Sequence, residues 1–544
     1  MTTLAPPVDF RGIFRVDDDA REVYAEAAGI ARVIPRAVAV PADADDLAML
    51  VRWAGATSVP LVPRGSGSGM PAGATGDGVI LDLSRWRAMA PVDLAARTIR
   101  VGVGVLRNEV EVAARAQGLR FPVDPSSGAF CTVGGMAAAN AAGSHSMRFG
   151  PTRSWVVAIT CVFDDGSRAE IRRGAPAPRG IPALERFAEL SQRLIDLERR
   201  DPCVHPGVLK DVSGYALAEY ARTGDLVDLL VGSEGTLAVF VELELALAPA
   251  PVATSSVLGA FTSLEDAVRA AGSARAAGAA ACELLDRTFL QVAGALGDAR
   301  ALPVDTESAL LAEVEAESGE AARMAEELAR IFRASGAGHV RVALDPKTET
   351  ELWDLRHAAS PILARLDRSL RSMQFIEDCA VPPAALPAYV RGVRSILAEN
   401  DTRGVIFGHA GDAHVHVNPL VDVTRPDWRE RVGRILDQVT ALAASLGGTL
   451  TGEHGDGRLR TPLMPRVWSD EALRRFAWVK RAFDPRGIFN PGVKVALRGE
   501  QALGAIKYDP ALPPLAPRAR AVLDQVERER AYARSRLELL GESV

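Results

Sequence analysis

Val59-Pro60-Leu61-Val62-Pro63-Arg64-Gly65-Ser66-Gly67-Ser68-Gly69 runs from an apolar, strand-like segment straight into a loop with almost no bulky side chains. Backbone N–H groups in such a loop can converge on a phosphate, and the hydroxyls of Ser66 and Ser68 add donors. A Gly/Ser run is also the composition of a plain linker. Two further small-residue loops accompany it. One is Pro122-Val123-Asp124-Pro125-Ser126-Ser127, leading into Thr132-Val133-Gly134-Gly135 and on to Gly143; the other is Gly232-Ser233-Glu234-Gly235-Thr236. Three such loops imply close backbone approach to a long, phosphate-containing ligand. None reads GxGxxG after a first strand, so a Rossmann dinucleotide site is not indicated.

Around these loops, residues 36–103 alternate strand-like runs (37–40, 59–62, 79–83, 98–103) with a helical stretch at 43–54, an α+β or α/β pattern. Strand-rich segments at 156–163 and 236–247 flank a helical run at 182–200 that reads as an insertion. After the link Ala248-Pro249-Ala250-Pro251 the order becomes strand, helix, strand, helix (255–260, 264–277, 281–285, 287–296) and repeats at 309–316, 320–334, 340–344 and 349–366. Repeated β-α-β units of this kind resemble ferredoxin-like halves. The expected division is an N-terminal extension (1–35), a loop-bearing domain (36–250), a second domain (251–495) and a helical tail (496–544). The tail's thin apolar stripe, Val522, Leu523, Val526, Leu537 and Leu540, reads as a solvated terminal helix or as one that docks a partner.

Four of the eight histidines fall in two short Gly-rich segments, GHAGDAHVHVN (408–418) and GEHGDG (452–457). Residues 405–407 and 415–417 read as strands flanking a four-residue turn, a hairpin in which His409 and His414 face each other. The period of two then puts His414, His416 and Asn418 on one side of the second strand. Cross-strand and diagonal Cβ atoms lie roughly 5 to 8 Å apart, a span two imidazoles bridge around one ion. Glu453 and His454 follow a short strand-like run and offer a carboxylate ligand and a free base. Two His and a carboxylate with an open position suit zinc or another divalent metal. Turn histidines capped by backbone carbonyls would give the same spacing.

A net charge of -6 with 24% charged residues leaves no electrostatic footprint for nucleic acid. The N-terminal stretch lacks the basic start and apolar core of a secretory signal, and no segment approaches the ~20 apolar residues that span a bilayer. The expectation is a cytoplasmic protein that touches the inner membrane only peripherally. Its five cysteines, Cys131, Cys161, Cys203, Cys282 and Cys379, form no CxxC pair. They read as reduced core thiols, without an internal iron-sulfur cluster.

The ordered series PRGSGSG, PVDPSS…TVGGMAAANAAG…RFG, GSEGTL, GHAGDAHVHVN, GEHGDG and FDPRGIFNPGVKV resembles the FAD-linked oxidases of the vanillyl-alcohol-oxidase type. The branch it is most similar to holds the D-lactate, glycolate and D-2-hydroxyglutarate dehydrogenases, and the likeness spans residues 36–495. It implies an α+β fold, a two-lobed FAD-binding domain with a ferredoxin-like cap that carries the substrate site. Some members end in an iron-sulfur domain that this chain lacks. The resemblance puts Arg64, Gly65, Ser66, Gly67, Ser68 and Gly69 at the pyrophosphate. Pro125, Ser126, Thr132, Gly134, Gly135 and Gly143 would line the flavin, Glu234 and Gly235 the adenine side, and Asn490 the ring. Covalently flavinylated relatives carry His where this chain has Ser68, so FAD is expected to be non-covalent.

By the same resemblance His409, His416 and Glu453 are the ligands of a divalent metal, expected to be zinc, and His454 is the base. Arg356 anchors the substrate carboxylate, with Ser360, Asn418 and His414, which stands where the family often has Asn, beside it. The stretch 375–378 lacks the Lys that diacid-specific relatives carry before their aspartate. The implied reaction oxidises a D-2-hydroxy acid to a 2-oxo acid by hydride transfer to flavin. Electrons would leave to a quinone, cytochrome, electron-transfer flavoprotein or separate iron-sulfur subunit, and a homodimer is compatible with it. Alternatives are a flavin-binding, non-catalytic subunit of a glycolate oxidase-type complex, an alkyl-glycerone-phosphate synthase-like flavoenzyme, and a flavin-free metallohydrolase.

Overall fold

Strand Leu61–Arg64 lies parallel to Val79–Asp82, at the edge of a four-stranded sheet completed by Ala37–Val40 and Ile13–Arg15. The computed structural model describes residues 4–296, 302–357 and 369–541. Because the strand ends at Arg64, the 65–69 loop emerges at the carboxyl end of a parallel pair, the usual ligand side of such sheets. Asp43 caps the following layer, helix Ala44–Thr57, by accepting from Asp45 and Asp46 N–H. A second lobe is an antiparallel sheet in the order Thr98–Gly102, Val239–Ala246, Val156–Val162, Arg168–Arg172. Both lobes share one apolar core. Phe476, Phe483 and Phe489 also pack into it, so the chain returns to these lobes after building the cap.

The cap is a seven-stranded antiparallel sheet. Its first four strands, Ala253–Phe261, Ala281–Asp286, Ser308–Ala316 and His339–Ala343, stand in the spatial order fourth, first, third, second, with helices Leu264–Ala276 and Ser318–Ala334 between them. That is the ferredoxin-like arrangement the repeated β-α-β pattern predicts. The histidine hairpin, Arg403–Gly408 and His416–Asp422, extends this sheet through the pairs Leu284↔Gly408 and Leu285↔Phe407. Glu283 is thereby delivered to the turn end of the hairpin, beside His409. The expected helix at 349–366 is seen as Pro346–His357, and its remainder, with Ser360, lies outside the described residues.

The tail is not solvated. Helix Pro517–Glu529 lays Ala519 and Val522 against Val23, Tyr24 and Val38 of the first lobe, and Leu537 and Leu540 join the same cluster. The stripe's partner is therefore the chain's own N-terminal sheet. Burial of this small patch outweighs the usual fraying of a chain end.

His145 ties the second lobe to the cap, its Nδ1 2.6 Å from Asp124 Oδ2 and its Nε2 2.7 Å from Glu313 Oε1. Glu315 stands behind it, held by Arg120 at 2.6 Å. Burial disfavours the imidazolium, but Asp124 and Glu313 overcome this and raise His145 well above its ordinary value. A raised folded-state value contributes stability that is complete below the unfolded value of about 6.5 and disappears as pH rises through the folded one. The melting-temperature gap between the wild type and His145→Gln is therefore expected to narrow from pH 6 toward alkaline pH. A gap that stays constant or widens on alkalinisation would show that the latch does not carry a proton.

Candidate active site

A cavity of about 1420 Å³ runs from the 65–69 loop to the histidine cluster. Its walls include Arg64 to Gly69, Pro125, Ser126, Thr132, Gly134, Gly135, Gly143, Glu234 and Gly235 on one side, and Arg356, His409, His416, Asn418, Glu453 and His454 on the other. Among the described residues, no backbone N–H of residues 65–69 donates to a backbone carbonyl, which leaves a row of donors facing space. A Cβ on Gly65 would sit 2.2 Å from Thr132 Oγ1, so the two loops close on each other only because Gly is there. Gly67 adopts φ +72°, in the left-handed region that favours glycine. The donor supply of this cradle suits the phosphates of a dinucleotide.

At the far end, His409 and His414 face each other as predicted, with His414 N–H donating to His409 C=O at 3.2 Å. His409 Nδ1 lies 2.6 Å from Glu283 Oε1, and His416 Nδ1 donates to the Glu377 carbonyl at 3.2 Å. Both Nε2 atoms then point at one atom, Glu453 Oε1, each at 3.2 Å. Burial pulls His416 down to about 3, so its ring is neutral, with the proton on Nδ1. Its bare Nε2 thus faces a carboxylate oxygen, two acceptors that a shared cation reconciles. The residues fit a divalent ion on this ground, with second partners that fix each ring's orientation.

Several supporting groups were not legible in the sequence. Glu283 bridges the cluster to Arg356, whose Nε donates to Glu283 Oε2 at 2.7 Å while its guanidinium covers the Phe407 ring at 4.9 Å. Burial alone would raise Glu283, but His409 and Arg356 hold it well below the carboxylate range. Lys210 donates to Glu453 Oε2 at 2.6 Å and leaves Oε1 to the histidines. Asp378 accepts from the His454 N–H at 2.9 Å, from His414 Nε2 at 2.9 Å and from Thr451, while Arg460 pairs with Glu377. His454 Nδ1 lies 3.3 Å from Glu377 Oε1, and its ring stacks on His416 with centroids 5.1 Å apart. Burial lowers His454, and Asp378 and Glu377 more than offset that to raise it.

Three expected contacts sit differently. His414 is fully buried and does not line the cavity; a ring nitrogen of it lies within 4.8 Å of ligand atoms of His409, His416 and Glu453. Glu234 lines the cavity, but its carboxylate accepts from Asp456 N–H at 2.7 Å and Gly457 N–H at 3.0 Å and pairs with Lys494, so it locks the GEHGDG loop. Asn490 is sealed, donating to Gly73 and Glu234 carbonyls and accepting from Arg458. For Glu234 and Asn490 a polar side chain near the site is consumed by backbone groups that irregular loops leave unpaired, whereas the His414 ring is held by the Asp378 carboxylate.

Residues 35–172 match the family model described as FAD binding domain, and residues 250–493 match FAD linked oxidases, C-terminal domain. The chain belongs to the FAD-linked oxidases. It is 29% identical over 463 residues to glycolate oxidase subunit GlcD of Bacillus subtilis (strain 168), covering 84% of this chain and 88% of that one. It is 30% identical over 520 residues to a D-2-hydroxyglutarate dehydrogenase of Pseudomonas putida, covering 89% of this chain and 50% of the relative. A D-lactate dehydrogenase of Archaeoglobus fulgidus is 29% identical, covering 85% and 92%. The fold is shared with 4-ethylphenol oxidase from Gulosibacter chungangensis (TM-score 0.67, 14% identity, 89% and 94% covered). It is also shared with an alkyldihydroxyacetonephosphate synthase (TM-score 0.62, 16% identity, 88% and 83% covered). This FAD-linked oxidase is thus an oxidoreductase with a vanillyl-alcohol-oxidase-type flavin domain. Among its described residues no helix is long and apolar enough to cross a membrane.

Proposed function

We propose that this FAD-linked oxidase oxidises a D-2-hydroxy acid of the D-lactate, glycolate or D-2-hydroxyglutarate class to its 2-oxo acid. The support is one convergence: Arg356, His454 and the His409, His416, Glu453 set share a wall of the cavity that begins at the 65–69 loop. FAD would supply the hydride acceptor, and a divalent ion held by His409, His416 and Glu453, zinc by its donor set, would supply Lewis acidity at the hydroxyl. Arg356 binds the substrate carboxylate, its fork aimed by Glu283 and its face shielded by Phe407. His454 takes the hydroxyl proton on Nε2, because Glu377 and Asp378 occupy the Nδ1 side. Asn418 offers its amide from the same strand face as His416. Turnover would require an external electron acceptor, either a quinone, a cytochrome, an electron-transfer flavoprotein or a separate iron-sulfur subunit.

The test is a panel of hydroxy acids mixed anaerobically with the purified protein. We expect a yellow protein whose FAD leaves on acid denaturation, since Ser68 offers no attachment point, and whose flavin absorbance bleaches with D-2-hydroxy acids. Bleaching by the L-enantiomers alone, or no bleaching by any hydroxy acid, would overturn the reading.

A further inference from the structure

The match to the FAD linked oxidases, C-terminal domain, ends at residue 493. Yet Lys507, Tyr508, Arg520, Arg528, Arg530 and Tyr532 line the same cavity as the 65–69 loop. Helix Pro517–Glu529 ends at Arg530 in a left-handed conformation, φ 54°, which turns the chain back toward the flavin lobes. That turn sets the Tyr532 ring 5.3 Å from Phe130, in the loop between Ser126 and Thr132, and the Arg530 guanidinium 4.9 Å over the same ring.

Behind the turn a second cation approaches the pyrophosphate loop. Arg536 is buried, its Nη2 donating to the Ser66 carbonyl at 3.2 Å and its Nη1 to the Arg534 carbonyl at 3.2 Å. Its Nε is buried without a partner among the described residues. Arg64 is equally buried and donates to three carbonyls, of Tyr24, Ala74 and Glu26, at 3.1, 3.2 and 2.9 Å. Neither guanidinium has an ion-pair partner among the described residues, and Asp82, behind Tyr24, is itself occupied in accepting from the Tyr24 hydroxyl and the Ser84 N–H. Two buried guanidinium groups without an ion-pair partner among the described residues leave positive charge directly behind a loop whose N–H groups also lack acceptors among those residues. Uncompensated buried charge is costly, and the chemistry that relieves it here is an anion on the loop.

We propose that the C-terminal tail is part of the FAD site. Arg536, pinned behind Ser66, supplies together with Arg64 the positive charge that balances the pyrophosphate, and the Arg530–Tyr532 turn clamps the cavity onto Phe130. This rests on FAD occupying the cavity and is independent of which substrate is oxidised, so its failure and that of the 2-hydroxy-acid reading are separable.

The experiment uses the full chain stripped of FAD, with FAD rebinding and release followed by flavin fluorescence and the apoprotein's melting temperature recorded. Arg536→Met is expected to weaken FAD binding roughly tenfold to a hundredfold, the range for hydrogen bonds involving a charged group. Its apoprotein is expected to melt no lower than the wild type, because the buried unpaired cation is gone. Arg536→Lys, which keeps the charge without the planar fork, should recover part of the affinity. Tyr532→Ala should release FAD about tenfold faster with little change in association, on the order of one lost aromatic contact. Wild-type affinity in Arg536→Met, or a lower apoprotein melting temperature with unchanged affinity, would reduce Arg536 to a packing role and overturn the charge assignment. If Arg536→Met does not fold, Tyr532→Ala decides, and release at the wild-type rate overturns the clamp.

Discussion

Chelation of the proposed divalent ion is expected to abolish reduction of the flavin by substrate while leaving FAD bound. The reason is spatial. The proposed ligand set His409, His416 and Glu453 belongs to the hairpin and the GEHGDG loop, whereas the proposed flavin cradle is built from residues 65–69, 125–135 and 143 in the other lobes. Removing the ion leaves the bare Nε2 of His416 against Glu453 Oε1 and should let the cluster relax without disturbing that cradle. Glu453→Gln should have the same effect as chelation, because it removes the charge toward which both Nε2 atoms point and strands Lys210, buried 2.6 Å away. Glu283→Gln should be milder, on the order of 10- to 100-fold in metal affinity, since it acts through the orientation of His409. Elemental analysis of active protein and titration of each variant with the metal alone check both. Full activity in protein that holds far less than one ion per chain, unchanged by chelators, would remove the metal from the chemistry.

What the sequence made legible, it did through local period. The hairpin was readable because the strand-like runs 405–407 and 415–417 flank turn residues, and the cap because strand and helix periods repeat twice at matching lengths. The contacts that complete the site are not periodic. Glu283 reaches His409 across 126 positions and Lys210 reaches Glu453 across 243, and no local pattern encodes such a pairing. A signal was present in one case: Glu283 interrupts the apolar run Ala281-Cys282-Glu283-Leu284-Leu285, and a charge on a buried strand requires a partner. For the tail, the stripe showed a helix with one buried face, but a stripe cannot name the surface that covers it. Glu234 and Asn490 show the converse. Their neighbourhood was readable, and their use as loop locks depended on which N–H and C=O groups the folded loops leave unpaired.

His454→Ala is expected to slow flavin reduction by on the order of 10²- to 10⁴-fold, the usual contribution of a positioned general base. The substitution is clean by geometry. His454 Nε2 lies 3.9 Å from Glu453 Oε1, too far for a hydrogen bond, so the contacts of His409 and His416 with Glu453 survive it. The backbone N–H of residue 454 keeps its bond to Asp378, and Thr451 still caps the same carboxylate, so the loop should hold its shape. Metal and FAD contents are therefore expected to match the wild type, and the loss should fall on the rate of hydride transfer rather than on substrate affinity, which the proposed mechanism gives to Arg356. His454→Gln separates the two roles of the ring: the amide can replace the hydrogen bond toward Glu377 and Asp378 but cannot accept a proton at neutral pH. It should be as slow as His454→Ala. Anaerobic rapid mixing with saturating substrate reads this directly. Near-normal reduction in both variants would take the proton away from His454 and leave it a support for the stacked His416 ring, and recovery in Gln alone would make its role positional.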